Sequence, residues 1–258
     1  MSKIISIHSY RGGTGKSNIT ANLACLVACA GNRVGIIDTD LPSPGIHILF
    51  GLGDQQVNST LNDFLWKKLK ITDTVYDVSD VLEGQGTAKS KIYLVPSSSK
   101  INDISRILRE RFDAELLFEG YQQLIEGLNL DYLFIDTHPG LNEEALLTLT
   151  VSNGVLLILR PDQQDFQGTS VIVDVARRLK VPNLFLIINK ILPEYNFEQI
   201  RQEVQATYNV PVLGILPESS DLMRLASQGV FAIKYSNYSI SHILQQMAIQ
   251  ITSKTVII

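Results

Sequence analysis

The stretch Arg11-Gly12-Gly13-Thr14-Gly15-Lys16-Ser17 places three glycines, a lysine and a hydroxyl between an apolar run and a segment with helical spacing. Glycines at a strand-to-helix turn let backbone N–H groups close around phosphate oxygens, and the start of the helix adds partial positive charge. Lys16 can reach the β- and γ-phosphates of a nucleotide, and the Ser17 hydroxyl can ligate Mg2+. The common pattern GxxxxGK[ST] is not met in full, because its first glycine would fall on Tyr10. The loop is either damaged or of a different kind.

Its acidic context favours a different kind. Asp38 and Asp40 close the apolar run Val34 to Asp40, and Asp136 closes the run Tyr132 to His138. An aspartate after an apolar strand is what holds Mg2+, commonly through water, in phosphoryl-transfer sites of this type. One such aspartate alone reads equally well as a helix cap or turn former; three beside a Gly-Lys-Ser loop read as a site. His8 and His138 stand at strand ends nearby, but phosphoryl transfer depends on positioning and charge, so both are taken as packing or hydrogen-bonding groups. Cys25 and Cys29, four apart on an apolar helix and without a CxxC motif, read as core side chains of a reduced protein.

These groups need a scaffold that brings strand ends together. Seven apolar runs recur, Ile4 to Ser9, Val34 to Asp40, Ile92 to Ser98, Tyr132 to His138, Gly154 to Pro161, Asn183 to Lys190 and Pro211 to Glu218. They lack strict alternation, as strands buried on both faces do, and helical spacing fills the gaps between them. The expectation is an α/β fold: a doubly wound, mostly parallel sheet with helices on both faces, forming a single P-loop domain over residues 1–258. Gly84 to Ser90 reads as a surface loop rather than a boundary. Ligands of such sheets sit beyond the carboxyl ends of the strands, where the aspartates fall.

The 258 residues carry a net charge of −4 with 19% charged, which excludes a global basic field for nucleic acid. Two local basic segments remain, Trp66 to Lys70 and the run Lys100, Arg106, Arg109, Arg111, each readable as a DNA contact or as a solvated face. No leader-like start and no apolar run near the ~18 residues of a membrane span are seen, so a cytoplasmic protein is expected. The segment Tyr238 to Lys254 has helical spacing at Ile240, Ile243, Leu244, Met247 and Ile251 but a polar face of Gln and Ser. It is expected to dock on its own domain rather than serve as a membrane anchor.

The motif set resembles the MinD/ParA ATPases of the SIMIBI class of P-loop proteins, whose deviant Walker A box reads KGGxGK[ST] where this chain has RGGTGKS. The likeness continues through DTDLPSPGIHILFGL as switch I, DYLFIDTHPGLNEEAL as Walker B and switch II, IINK, and LGILPESSDLMRLASQG. It implies that Gly12, Gly13, Thr14, Gly15, Lys16, Ser17 and Asn18 surround the nucleotide, ATP or ADP. Ser17 and Asp136, with Asp38, would organise Mg2+, while Asp38 and Asp40 orient the attacking water. Asn189 would meet the adenine edge and Pro217 and Glu218 the base side. Lys16 and Arg11 complete the catalytic set.

In that family the first basic residue of the loop crosses a dimer interface. Arginine in its place leaves three possibilities: Arg11 acts on the partner's nucleotide, stays on its own, or pairs with a switch aspartate. The resemblance implies an ATP-dependent homodimeric switch with an adaptor that stimulates hydrolysis. The ParA-type branch, McdA distributors of carboxysomes included, would associate with nucleoid DNA non-specifically. The start of β1 at residue 3 suggests no extra DNA-reading domain ahead of the loop. A Min-type division-site regulator on membrane and a metabolic P-loop enzyme are the alternatives.

Overall fold

A computed structural model describes residues 2–110 and 112–253. In chain order β1 (Lys3–His8), α1 (Lys16–Cys29), β2 (Arg33–Asp38), α2 (Ile46–Leu49), α3 (Leu61–Leu65), β3 (Tyr76–Asp77) and β4 (Lys91–Val95) form the first half. There follow α4 (Ile101–Arg109), α5 (Ala114–Leu128), β5 (Tyr132–Asp136), α6 (Glu143–Val151), β6 (Gly154–Leu159) and α7 (Gln163–Arg178). The last part holds β7 (Leu184–Ile191), α8 (Phe197–Tyr208), β8 (Val212–Pro217), α9 (Ser220–Leu225), α10 (Phe231–Lys234) and α11 (Ser239–Thr252).

The eight strands lie in the order β3-β4-β2-β5-β1-β6-β7-β8. Seven are mutually parallel, and they are the seven apolar runs of the sequence. Apolar side chains on both faces of β1, β2, β5 and β6 leave these strands nowhere but the middle of the sheet. The eighth strand was not expected: Tyr76–Asp77 pairs antiparallel with β4 and is too short to leave a periodic signature. Several runs also end sooner as strands than the apolar pattern suggests. β2 stops at Asp38, β4 at Val95 and β5 at Asp136, so Asp40, Ser98 and His138 belong to loops above the strand ends.

Helices cover both faces. On one side Ile19, Leu23 and Val27 of α1 pack with Leu244, Met247 and Ile251 of α11 onto Ile5, Ile7, Val34 and Phe134. On the other, α5 covers Leu133 and Ile135, and α7 and α8 cover Val155, Leu157 and Leu186. The fully buried Cys25 and half-buried Cys29 are free thiols within the first of these layers. α11 docks as its spacing predicts, close enough to β8 that a Cβ on Gly214 would stand 2.3 Å from the Met247 sulfur. Lys254 and Arg111 lie outside the described residues.

Candidate nucleotide-binding site

The turn from β1 to α1 stands at the switch point where β1's neighbours, β5 and β6, diverge in chain order. Gly13 at φ 74° and Gly15 at φ 95° adopt left-handed conformations that a side chain would strain. A Cβ at Gly15 would also meet the Asn189 amide nitrogen at 2.6 Å, so the third glycine answers to packing as well. Asn189 donates to the Thr14 carbonyl at 2.7 Å and Lys190 Nζ to the Gly13 carbonyl at 2.9 Å. Both carbonyls are thereby held on the β7 side. Lys16 and Ser17 open α1, which has no side-chain cap, so its first N–H groups point into the turn.

The three aspartates converge on this turn. Asp38 and Asp136 stand directly opposite each other on β2 and β5, both buried, and Lys16 is nearly buried beside them. Burial lowers the Lys16 pKa, and the charges of Asp136, Asp40 and Asp38 oppose that loss. Burial raises Asp136 to about 6, against the pull of Ser17 and Lys16. Asp38 is pushed up by burial and by the like charges of Asp136 and Asp40. This is a strained set of carboxylates that positive charge would relieve.

Their hydrogen bonds separate their roles. Asp38 accepts from the backbone N–H of Asp40 at 3.0 Å and of Gly45 at 3.3 Å, pinning the loop that follows β2. Asp40 holds His138 Nδ1 at 2.7 Å, joining the loops after β2 and β5. Asp136 accepts from the Thr20 hydroxyl at 3.2 Å through Oδ1, while its buried Oδ2 has no hydrogen-bond partner. A buried carboxylate oxygen beside the Ser17 hydroxyl fits a hard divalent cation such as Mg2+. No cluster of three or more His, Cys, Asp or Glu suited to a metal is found among the described residues. That donor set suits Mg2+, which takes much of its shell from water and phosphate.

His8 is a packing group. Its Nδ1 stands 2.5 Å from the Thr137 hydroxyl, which also lies 2.9 Å from the Ile7 carbonyl. Burial, with the charge of Lys16, lowers its pKa to about 4.

Arg11 pairs with acids at the start of α7 rather than with a switch aspartate. Its guanidinium binds both oxygens of Asp162, at 2.7 and 2.9 Å, its Nε meets Asp165 at 2.5 Å, and Gln164 takes another N–H. Arg160 also reaches Asp165, at 3.2 Å, so the N-terminus of α7 carries a network of two arginines and two aspartates. Beside it the Tyr10 ring rests on Gly168, where a Cβ would fall 2.0 Å from the ring. The sequence held a clue to this partner in the acids of the segment RPDQQD, but nothing local ties them to Arg11.

Beyond the glycines, a cavity of about 320 Å3 is lined by Gly15, Asn18, Ile19, Asn189, Pro217 and Met223 among others. Its walls are mainly apolar with a few amide and carboxylate groups, Glu218 included, which suits a flat heterocycle. Asn18, Asn189, Pro217 and Glu218 therefore meet in space, joined end-on to the glycine turn. No helix among the described residues is long and apolar enough to cross a membrane.

A doubly wound sheet, a glycine turn opening a helix and strand-end aspartates facing a lysine together define a P-loop nucleotide-binding protein. The AAA_31 family, described as an AAA domain, matches residues 2–192, and the chain belongs to it. An uncharacterized ATP-binding protein of Methanocaldococcus jannaschii is 25% identical over 96% of this chain and 87% of its own length. The septum site-determining protein MinD of Pyrococcus horikoshii, solved in complex with Mg-ADP, superposes with a TM-score of 0.80 at 23% identity, over 98% of this chain and 97% of the other. A ParA family ATPase of Chlorobium tepidum gives a TM-score of 0.74 at 18% identity, over 96% and 99%. The kinship with MinD/ParA ATPases read from the motifs is borne out, as is the fold.

Proposed function

We propose that the chain is a Mg2+-dependent ATPase that switches between nucleotide states and positions or partitions a cargo. The observation that carries this reading is Lys16, nearly buried at the glycine turn and flanked by Asp136, Asp40 and Asp38, with the base-sized cavity beside it. Gly12 to Asn18 hold the phosphates of ATP or ADP, and the base lies against Asn189, Pro217 and Glu218. Ser17 and Asp136, with Asp38, would hold Mg2+, which would supply charge neutralisation at the transferred phosphate. Asp38 and Asp40, the latter tied to His138, orient the attacking water. Residues 1–258 act as one such unit.

The kinship supports a homodimer formed with ATP and an adaptor that stimulates hydrolysis. In that dimer Arg11 leaves Asp162 and Asp165 for the partner's nucleotide. The ATP state holds nucleoid DNA non-specifically in the cytoplasm, and the cargo, a plasmid, chromosome or carboxysome, follows it. A second reading, a Min-type regulator of division acting at a membrane, is favoured by the likeness in fold to MinD. Retention of random-sequence DNA by the ATP-loaded protein, with anionic liposomes in parallel, separates the two. Salt-sensitive retention on DNA alone supports the first; cosedimentation with liposomes alone replaces it with the second.

A further inference from the structure

The two basic segments of the sequence are parted along the chain by β3 and β4 but meet in space. The Arg106 guanidinium carbon of α4 lies 3.8 Å from the centre of the Trp66 ring, a cation–π contact that joins the segments. Beside Trp66 the chain turns through Lys67 at φ 56° and exposes Lys67, Lys68 and Lys70 around one shallow cleft with Leu116 and Gln123. Two of the cations are engaged, Lys68 with Asp63 at 3.1 Å and Arg106 with Glu110 at 2.8 Å. Among the described residues Lys67, Lys70, Lys100 and Arg109 have no carboxylate within ion-pair distance, and all four are exposed. Asp73 on the cleft rim is occupied by the Lys70 backbone N–H. On a chain of net charge −4, Lys67 and Lys70 at the cleft, with Lys100 at the start of α4 and Arg109 in its last turn, form a local positive surface where the two segments meet.

α4 gives that corner its second property. None of its residues is fully buried, so its hold on the core rests on partly buried side chains such as Ile107. Ile107 packs towards the core, and Ile107 and Leu108 line a cleft with Pro42, His138 and Asn142. One flank of α4 thus borders the loops joined by Asp40 and His138, and the other stacks on the basic corner.

We propose that Trp66 to Lys70 and α4 form one surface that contacts the phosphate backbone of duplex nucleic acid through Lys67, Lys70, Lys100 and Arg109. Through α4, the state of the Asp40–His138 loops sets how well that surface fits. The proposal rests on the switch reading above and gives its nucleic-acid contact a place in the fold. Duplex phosphates suit the surface better than lipid. Ile107 turns inward and Trp66 lies against Arg106, leaving Ile101, Leu108 and Leu69 as the apolar side chains open to insertion, with no aromatic ring among them.

The test is fluorescence anisotropy of a random-sequence duplex over a salt series, with ADP or a non-hydrolysable ATP analogue. Wild type is compared with Lys67→Glu/Lys70→Glu, and nucleotide affinity is followed by calorimetry. The double variant is expected to lose at least about tenfold in duplex affinity and about two units of the log–log salt slope, at roughly 0.9 per phosphate contact. Its nucleotide affinity stays unchanged. A double variant that binds the duplex like wild type overturns the surface and leaves the switch reading standing. Equal duplex affinity with ADP and the ATP analogue overturns the part given to α4. Wild type that binds vesicles of phosphatidylcholine and phosphatidylglycerol but no duplex, in a way lost in the double variant, makes the partner a lipid surface and overturns the nucleic-acid assignment. Binding to neither, with nucleotide affinity intact, overturns the proposal and the nucleoid part of the proposed function together.

Discussion

Lys16 is a nearly buried cation whose charge is favoured by three nearby carboxylates, an arrangement that has little use in a fold without an anionic ligand. Lys16→Ala is expected to weaken ATP binding on the order of 100-fold by calorimetry, since charge-assisted contacts in a dry site are the strong ones. His8 supplies a pH dependence of a different kind. It is fully buried and its pKa falls to about 4 from 6.5, so between those values the unfolded chain takes up a proton that the folded chain refuses. Its contribution is complete above pH 6.5 and is lost as pH falls towards 4, by about 3 kcal/mol. Urea midpoints should drop across that window in wild type and drop less in His8→Asn. At this scale much of the site was legible, because a phosphate loop and its strand-end aspartates are local patterns. The Arg11 partners were not, since Asp162 stands 151 positions away and no periodicity encodes that distance.

At the scale of elements, α7 is coupled to the glycine turn by two contacts, the Arg11 network and the Tyr10 ring on Gly168. Gly168→Ala would drive a methyl into the ring, and a loss of roughly 1–3 kcal/mol is expected. Tyr10→Ala in the same chain should recover most of it, because the two sites share one contact; additive losses in the double-mutant cycle would contradict the contact. Asp165→Ala leaves two arginines facing a nearly buried position, and a loss of about 2 kcal/mol is expected after discounting for their exposure. Thermal midpoints measure all four variants, the two singles and the double of the cycle and Asp165→Ala. The central strands were legible for the reason that they fold as they do: apolar residues on both faces allow only a buried parallel position. β3 escaped because two residues show no period, and its place on β4 is set by tertiary pairing.

For the whole molecule, the arrangement is a parallel sheet with Asp40 and His138 on the loops above its carboxyl edge. Asp38 pins one loop, the Asp40–His138 pair ties it to the next, and α4 flanks both. The layer order followed from the alternation of apolar runs and helical segments, whereas the surface formed by Trp66 and Arg106 required the fold to bring it together. The central claim is that ATP converts this chain from one assembly state to another. Sedimentation velocity with Mg2+ and either ADP or a non-hydrolysable ATP analogue tests it most directly. The account predicts a monomer with ADP, a dimer with the analogue, and no dimer for Arg11→Ala in either. One and the same mass in both nucleotide states, with nucleotide bound, would contradict it.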